Sequence, residues 1–572
     1  MNPPDVPPPP PAAPPPPAVP SPHVVHAATA PGEPDVTVTV IVHDDADRLP
    51  RAVESLRRQT HRAIEIVISD DHSTDDTPKV ARRLAATDDR ITVLRLPVNS
   101  GGCSAPRNRA LDIARAPYLM FLDSDDELPP RAVELMLAAH RERPVDFVLG
   151  AVERVRTDTG RTSTWMPHLV AERRTVTGIE SEPRLLFEHL ATSKMYRRDF
   201  LDRHRLRFPE GIHYEDQLFS AQAYCLAREF TVLTDPVYRW YIAPYAADAD
   251  ASISNQRHLL ANVRDRVHVQ RLIDAFLVES GHAGLRPEKD HKFLKHDFRM
   301  YAGDLPYRDD AWLAAFADLV NPYLATLART AYARLPRAER VVLQLVRDGR
   351  LADARVAARG LGQGVAPRTV TAGPGGRLYW GDRVPGSSAG RRELDLADQR
   401  VDTSPFPSAL LRHEILSVTR APGAAVDLVV RTYDPGLRLA VGPQAAVLAV
   451  APGGGRLEVP FRIDPVRPGV FEGRVRLDLA AAPVPLHGFA GVRHPVLVLT
   501  QRGLRNTGLL LAPLGFPTLR ARVEYRHGLA PHLVTVEPEP RGAGRLQIRW
   551  APTGVTARIT RPVAGRLAPL LR

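Results

Sequence analysis

Residues 118–128 read Tyr-Leu-Met-Phe-Leu-Asp-Ser-Asp-Asp-Glu-Leu, so that five large apolar or aromatic side chains run directly into four carboxylates within five positions. An unbroken apolar run of this length suits a strand buried on both faces. Carboxylates this close repel and raise one another's pKa unless a cation sits among them. An Asp-x-Asp at a strand end suits a hard divalent ion, whose octahedral shell phosphate oxygens and water can complete. Acids ahead of Pro129 and Pro130 suit a helix N-terminus equally well, so the stretch alone leaves both readings open.

The residues upstream repeat the pattern. β-Branched runs at 36–42, 64–69 and 91–96 precede this fourth strand at 118–122, and between them lie helical stretches at 50–59, from Ser73 to 86, and from Ser104 or Pro106 to 116. Strands alternating with helices predict a doubly wound, mostly parallel α/β sheet with right-handed crossovers. Ligands bind such sheets at the carboxyl ends of the strands. Asp44 and Asp45 follow the first strand, Asp70 and Asp71 the second, Asn99-Ser100-Gly101-Gly102 the third, and residues 123–126 the fourth. All four clusters are expected on one rim. Gly101 and Gly102 let a backbone pass close to a ligand, and the helix start carrying Arg107 favours anions. Neither G-x-G-x-x-G after the first strand nor G-x-x-x-x-G-K-[ST] is present, which argues against a dinucleotide or P-loop site.

A chain of 572 residues implies several domains. Residues 1–34 are Pro/Ala-rich and read as a disordered tail; 35–254 form the α/β domain. Residues 255–360, with Val263, Val267, Ile273 and Phe276 and then Trp312, Phe316, Leu319 and Leu324 at helical spacing, read as a helical connecting region. From 361 to 572, short strands punctuated by Gly and Pro suggest one or two β-sandwich modules. That last part holds 28 Arg, no Lys and 15 acidic residues, a balance of 28 − 15 = +13 that exceeds the net charge of +11 and leaves −2 for the rest of the chain. It is the expected face for any anionic partner, or for self-association, although its arginines are scattered. Cys103 and Cys225 are too few for a disulfide framework or a thiolate zinc site. The N-terminus lacks the pattern of a secretory signal. No apolar run approaches a membrane span, so a cytoplasmic protein, soluble or peripheral at the inner face of the membrane, is expected.

The segments "VTVTVIVHDDADRLPRAVESLRRQTHRAIEIVISDDHSTDDT" (36–77), "NSGGCSAPRNRALDIARAPYLMFLDSDDEL" (99–128) and "GIHYEDQLFSAQAY" (211–224) resemble the family 2 glycosyltransferases of the GT-A fold. Within that family they are most similar to enzymes that decorate bacterial wall and surface polymers such as teichoic acids. The resemblance spans about 36–250. It implies an inverting transferase of hexosyl or N-acetylhexosaminyl type, with a nucleotide-sugar donor, commonly a UDP-sugar, and Mn²⁺ or Mg²⁺.

By the same resemblance, Asp71 with Asp70 beside it would meet base and ribose, while Asp44, Gly102, Arg107, Asn108 and Ser124 would line the nucleotide site. Asp123 would contact ribose or metal, and Asp125 would ligate the metal. Asp216 would be the catalytic base and Glu215 its support, because inversion needs a carboxylate opposite the leaving diphosphate to take the acceptor proton. Glu215 and Asp216 also suit the opening of an amphipathic helix. His213 is expected to be structural, since hard cations prefer oxygen. His43-Asp44 stands where the family usually has Tyr-Asn. Processive members carry Gln-x-x-Arg-Trp; here Pro236 occupies the Gln position before Arg239-Trp240, which favours transfer of single sugars. The segment "ASISN" (251–255) resembles a loop that closes over the donor diphosphate. The acceptor would be a polymeric, in part anionic, glycan or polyol-phosphate chain, with no nucleic-acid partner. The competing readings are a non-catalytic binder of anionic polymers built on a degenerate transferase domain, and a transferase acting on a lipid-linked or protein acceptor.

Overall fold

Seven consecutive buried residues, Val36–Val42, form the central strand of the N-terminal sheet. A computed structural model of the protein describes residues 23–30, 32–242, 256–361, 366–450, 457–481, 491–512, 518–523, 532–538 and 545–552. The chain divides into two compact units, Met1–Phe293 and Leu294–Arg572.

In the first unit the strands are β1 (His23–His26), β2 (Val36–Val42), β3 (Ile64–Asp70), β4 (Ile91–Arg95), β5 (Tyr118–Asp123), β6 (Phe147–Arg156), β7 (Thr162–Thr164), β8 (Arg174–Thr177), β9 (Lys194–Arg197) and β10 (Glu229–Ile242). They make one sheet in the order β1-β4-β3-β2-β5-β9-β6-β10-β8, with β7 added to β6. The run β4-β3-β2-β5 is parallel, as expected. Strand order grows from β2 outward to β4 and then returns to β5 on the other side of β2. The topological switch therefore lies between the carboxyl ends of β2 and β5, where Ile41 pairs with Asp123.

The helices are α1 (Leu49–Arg57), α2 (Thr77–Ala85), α3 (Ser104–Ile113), α4 (Ala132–Glu142), α5 (Arg198–Arg203), α6 (Glu215–Leu226), α7 (Leu260–Glu279) and α8 (Arg286–Lys292). One face of the sheet is aromatic. Phe121 of β5 packs edge-on to Phe208 and to Phe219 of α6, and Phe208 stacks on Phe219 at 4.0 Å. These rings fix α6 against the strand that ends in the acidic loop.

Three expectations change. The expected disordered tail does not reach residue 34, because His23–His26 pair antiparallel with β4. Ser73 does not open α2, which starts at Thr77; its hydroxyl instead accepts the Asp44 N–H at 2.9 Å. Helices α7 and α8 belong to the first unit, not to a separate connecting region.

The second unit contains helices Arg299–Asp304, Asp310–Leu324, Arg337–Arg347 and Leu351–Ala358, then the hairpin Val370–Ala372 and Leu378–Trp380. Seven strands follow as a closed barrel, from Arg412–Ala421 to Leu504–Leu511, and a four-stranded sheet completes the described residues. The C-terminal region is thus β-rich as read, but the strands close on themselves instead of forming two facing layers. Leu428, Val430, Leu448, Ile463, Leu477, Leu497 and Leu499 fill the barrel, and closure leaves no free edge among its strands.

Candidate active site

The acidic loop after β5 divides into two pairs. Asp126 is nearly buried, accepts the Tyr238 hydroxyl at 2.7 Å and the Tyr241 N–H at 2.8 Å, and so ties the loop to β10. Burial and then the neighbouring Asp125 and Asp123 push its carboxyl well above the usual range. Glu127 exchanges two backbone hydrogen bonds with Arg239, accepts the Tyr241 hydroxyl at 3.1 Å and lies 3.3 Å from the Arg51 guanidinium. Asp123 and Asp125 remain on the rim, each with about a third of its side chain exposed.

Arginines answer part of this charge. Arg51 of α1 donates to the Asp125 carbonyl and lies 3.9 Å over the Tyr241 ring. Arg48 donates to Asp45 at 2.6 Å and reaches Asp125 at 3.4 Å. Even so, burial and the Asp123 charge hold the Asp125 carboxyl up at about 6. The protein's own cations therefore leave the loop short of positive charge.

Arg107 joins this rim to a second pair of acids. It is 4% exposed, and donates from Nη2 to Asp123 at 2.7 Å and from Nη1 to Glu215 at 2.5 Å. Burial opposes its charge, but the carboxylates around it push its pKa up. Its helix, α3, is anchored by Ser104 and Asn108, which bond the carbonyls of Pro209 and Phe208 at 2.6 and 2.8 Å. The same two contacts position the loop that leads into α6.

Glu215 and Asp216 open α6, where free backbone N–H groups favour negative charge. The residue before them, Tyr214, is left-handed at φ 67°, a cost for a bulky side chain that its surroundings must offset. Its hydroxyl donates to Asn262 at 2.8 Å and the Arg266 guanidinium sits 3.3 Å over its ring, both from α7. His213 contacts the Gly101 carbonyl at 3.2 Å and Asp265 at 3.4 Å, which matches its expected structural role. Asp216, by contrast, has no side-chain hydrogen bond or ion pair to any described residue. Burial, followed by the adjacent Glu215 charge, raises it to about 7, against the pull of Arg107, Arg266 and Lys292.

The structure thus brings Asp123, Arg107, Glu215 and Asp216 together, with Asp125 beside them. The remaining residues of the expected nucleotide-site set are engaged within the protein. The Asn108 carboxamide is engaged by Phe208 and Glu210, the Ser124 hydroxyl donates to Asp45 at 2.5 Å, and Asp70 is 1% exposed, accepting the Ser73 N–H. These three hold the scaffold. Asp71 accepts both the N–H and the hydroxyl of Ser100, at 3.0 and 2.9 Å, and burial raises its carboxyl. Asp44, left-handed at φ 45°, accepts the Thr74 N–H, which lowers it. Gly102 lies in the same loop, with its carbonyl accepting from Ser100. The segment 251–255 lies outside the described residues.

Sequence reasoning missed Arg48 and Arg51, and also the polar stripe of α7. Asn262, Arg266 and Gln270 recur at i, i+4 and i+8 and are all buried, a spacing that marks one helix face. Buried polar residues in register on a helix are unusual enough to have signalled a site wall.

The model for Glycosyl transferase family 2 matches residues 37–205. The chain carries a family 2 glycosyltransferase domain. It is 33% identical over 216 residues to EpsH of Bacillus subtilis (strain 168), covering 36% of this chain and 61% of that protein. It is 29% identical over 214 residues to the poly(ribitol-phosphate) beta-N-acetylglucosaminyltransferase TarP of Staphylococcus aureus (strain N315), covering 36% of this chain and 62% of that protein. The chain therefore spans about three fifths of the length of these curated relatives. Among solved structures, the crystal structure of S. aureus TarS aligns over 91% of this chain and 86% of that one, at 17% identity and a TM-score of 0.49.

Proposed function

We propose that this protein is an inverting glycosyltransferase that moves single sugars from a nucleotide-sugar, a UDP-sugar by preference, to a hydroxyl of a wall or surface polymer, in the cytoplasm or at the inner face of the membrane. The observation that carries the reading is Asp216. A carboxylate at the head of α6, without a hydrogen-bond partner among the described residues and raised to about 7, has the proton affinity a general base needs near neutral pH. It stands one residue from Glu215, which Arg107 ties to the acidic rim.

In this reading the donor lies at the β2–β5 switch point. Asp216 takes the proton of the acceptor hydroxyl as the oxygen attacks the anomeric carbon, and the diphosphate leaves from the opposite face. Arg107 holds Glu215 and Asp123 in place. The donor set of the rim, two carboxylates whose charge the arginines do not fully answer, fits Mn²⁺ or Mg²⁺. Among the described residues no group of three His, Cys, Asp or Glu converges, so Asp123 and Asp125 would hold the ion together with diphosphate and water oxygens. When bound, it would supply charge neutralisation for the leaving diphosphate.

The names of two relatives support a polyol-phosphate acceptor: TarP, and a poly(ribitol-phosphate) beta-glucosyltransferase of Bacillus spizizenii that is 27% identical over 210 residues. Single-sugar transfer accords with Pro236 at a register shift of β10. No helix among the described residues is long and apolar enough to cross a membrane. UDP release measured over a panel of UDP- and GDP-sugars, with Mn²⁺ and poly(ribitol phosphate), tests the proposal. Acceptor-dependent release with one donor is expected. Tight polymer binding with no release from any donor would support the non-catalytic reading instead.

A further inference from the structure

We propose that the second unit holds a built phosphate site, separate from the donor rim, in a cavity of about 270 Å³ lined by Arg355, Arg359, Arg368 and Glu414. Arg359 follows the helix Leu351–Ala358 and is 6% exposed. It makes no hydrogen bond or ion pair with any described residue. A guanidinium does not lose its proton in a protein, and a buried charge without a partner is costly.

Its neighbours sharpen the imbalance. Arg412 is wholly buried, and its Nη2, like Arg355 Nε, has no hydrogen-bond partner among the described residues. The one lining carboxylate, Glu414, is already shared, accepting from Arg368 at 3.1 and 2.7 Å and from Arg412 at 2.5 Å. Among the described residues, the carboxylate that Arg355 meets is the exposed Asp310. Three guanidiniums thus line the cavity beside one carboxylate, which Arg412 behind the wall already shares. Burial pulls the Arg359 guanidinium down against the Glu414 charge, so it gains from an anion that enters.

The shape selects phosphate. Guanidinium forks match its oxygens bidentately. The cavity is several times the roughly 30 Å³ share of a water molecule, and its other walls are Ala352, Val356, Ile415 and Leu416. That leaves apolar room for the carbon chain of a phosphate ester. The phosphate could come from a free small molecule or from a phosphodiester of the acceptor chain; the second source rests on the function proposed above.

Titration calorimetry on the full-length protein, with EDTA present so that the metal-dependent donor rim cannot hold phosphate and ionic strength fixed with chloride, tests this with inorganic phosphate as probe. Wild type should bind it, and Arg359→Met should bind roughly 10- to 100-fold more weakly, the scale of one charge-assisted contact. Glu414→Gln should bind more tightly. Phosphate should raise the unfolding temperature of wild type and leave that of R359M unchanged, while R359M without phosphate should unfold no earlier than wild type, because it loses a largely buried charge that hydrogen-bonds to no described residue. Absence of phosphate binding by wild type in both heat and unfolding temperature, or equal binding by R359M, overturns the site. A glycerol-phosphate oligomer that binds wild type more tightly than inorganic phosphate, and is weakened by R359M, assigns the acceptor as the source. Binding of inorganic phosphate with exclusion of the oligomer assigns a free phosphate. Loss of donor turnover would overturn the transferase reading and leave this site standing.

Discussion

Replacing Asp216 by Asn should abolish transfer and, at the same time, stabilise the first unit above neutral pH. The folded-state value of about 7 lies above the ordinary 3.8 because burial and Glu215 penalise the charged form. Below pH 3.8 the carboxyl is protonated in both states and costs nothing. Between 3.8 and about 7 the unfolded chain has released a proton that the folded chain keeps, so stability falls as pH rises. Above about 7 the whole penalty is present. At 1.36 kcal/mol per pKa unit the gap corresponds to ~4 kcal/mol; solvent contact at the partly exposed carboxylate reduces this to about 2 kcal/mol. For a unit of this size the expected gain is roughly 4–8 °C in unfolding temperature at pH 8, disappearing by pH 4. The fluorescence of Trp165 and Trp240, both in the first unit, reports the transition. Transfer should fall by roughly 10²- to 10⁴-fold, with UDP affinity retained. In wild type, kcat/KM should drop tenfold per pH unit below about 7. A D216N protein that is less stable than wild type at pH 8, or equally stabilised at pH 4 and pH 8, would refute the claim that burial of this carboxylate is what makes it basic.

Asp125→Asn should lose most Mn²⁺-dependent UDP binding, roughly tenfold or more in calorimetry, because an uncharged amide is a weaker ligand where phosphate charge must be neutralised; wild-type affinity would remove Asp125 from the metal site. Asp126→Asn, one residue on, should keep that binding and unfold within about 1 kcal/mol of wild type at pH 7, since its carboxyl is pushed towards the neutral form between Tyr238 and Tyr241; loss of donor binding would show that it ligates directly. Arg107→Lys should lower transfer roughly tenfold or more and move the acid limb of the pH profile to higher pH, because a single ammonium cannot span Asp123 and Glu215 and Arg107 is a cation that pulls Asp216 down. An unmoved limb would disconnect Arg107 from the base.

The strands of the first unit were legible because parallel strands buried on both faces have to be written as unbroken apolar runs: Val36–Val42 and β5 fall almost where the sequence put them. The rim was legible for the same reason, since side chains at the carboxyl ends of such strands share one edge. Helix starts were less clear. Ser73 has the chemistry of a cap, yet its hydroxyl is drawn to the Asp44 N–H across 29 positions, which no local rule anticipates. The contacts of Asn108 and Ser124 were hidden in the same way, because a family motif gives their position but not the neighbour that engages their polar atoms. The barrel was half legible: alternation marks a strand with one buried face, while closure depends on the pairing of Arg412–Ala421 with Leu504–Leu511 across some ninety residues of chain.

The part of the site least visible in sequence is the part that makes it one site. Asp123 ends β5, Arg107 lies on α3, Glu215 and Asp216 begin α6, and Asn262 and Arg266 come from α7; of these elements only α3 and β5 are consecutive in the chain. Their geometry is fixed by groups that do no chemistry. Phe121 and Phe219 lock β5 to α6, Ser104 and Asn108 lock α3 to the loop before α6, and α7 holds Tyr214 left-handed through its hydroxyl and its ring. That turn is what lets Glu215 and Asp216 open α6 directly after it. Arg107 then separates two neighbouring acids: Glu215 takes the guanidinium, and Asp216, without a partner among the described residues, is raised to about 7. Were Arg107 to pair with Asp216 instead, the guanidinium would lower that carboxyl, and the base proposed above would be an inert anion.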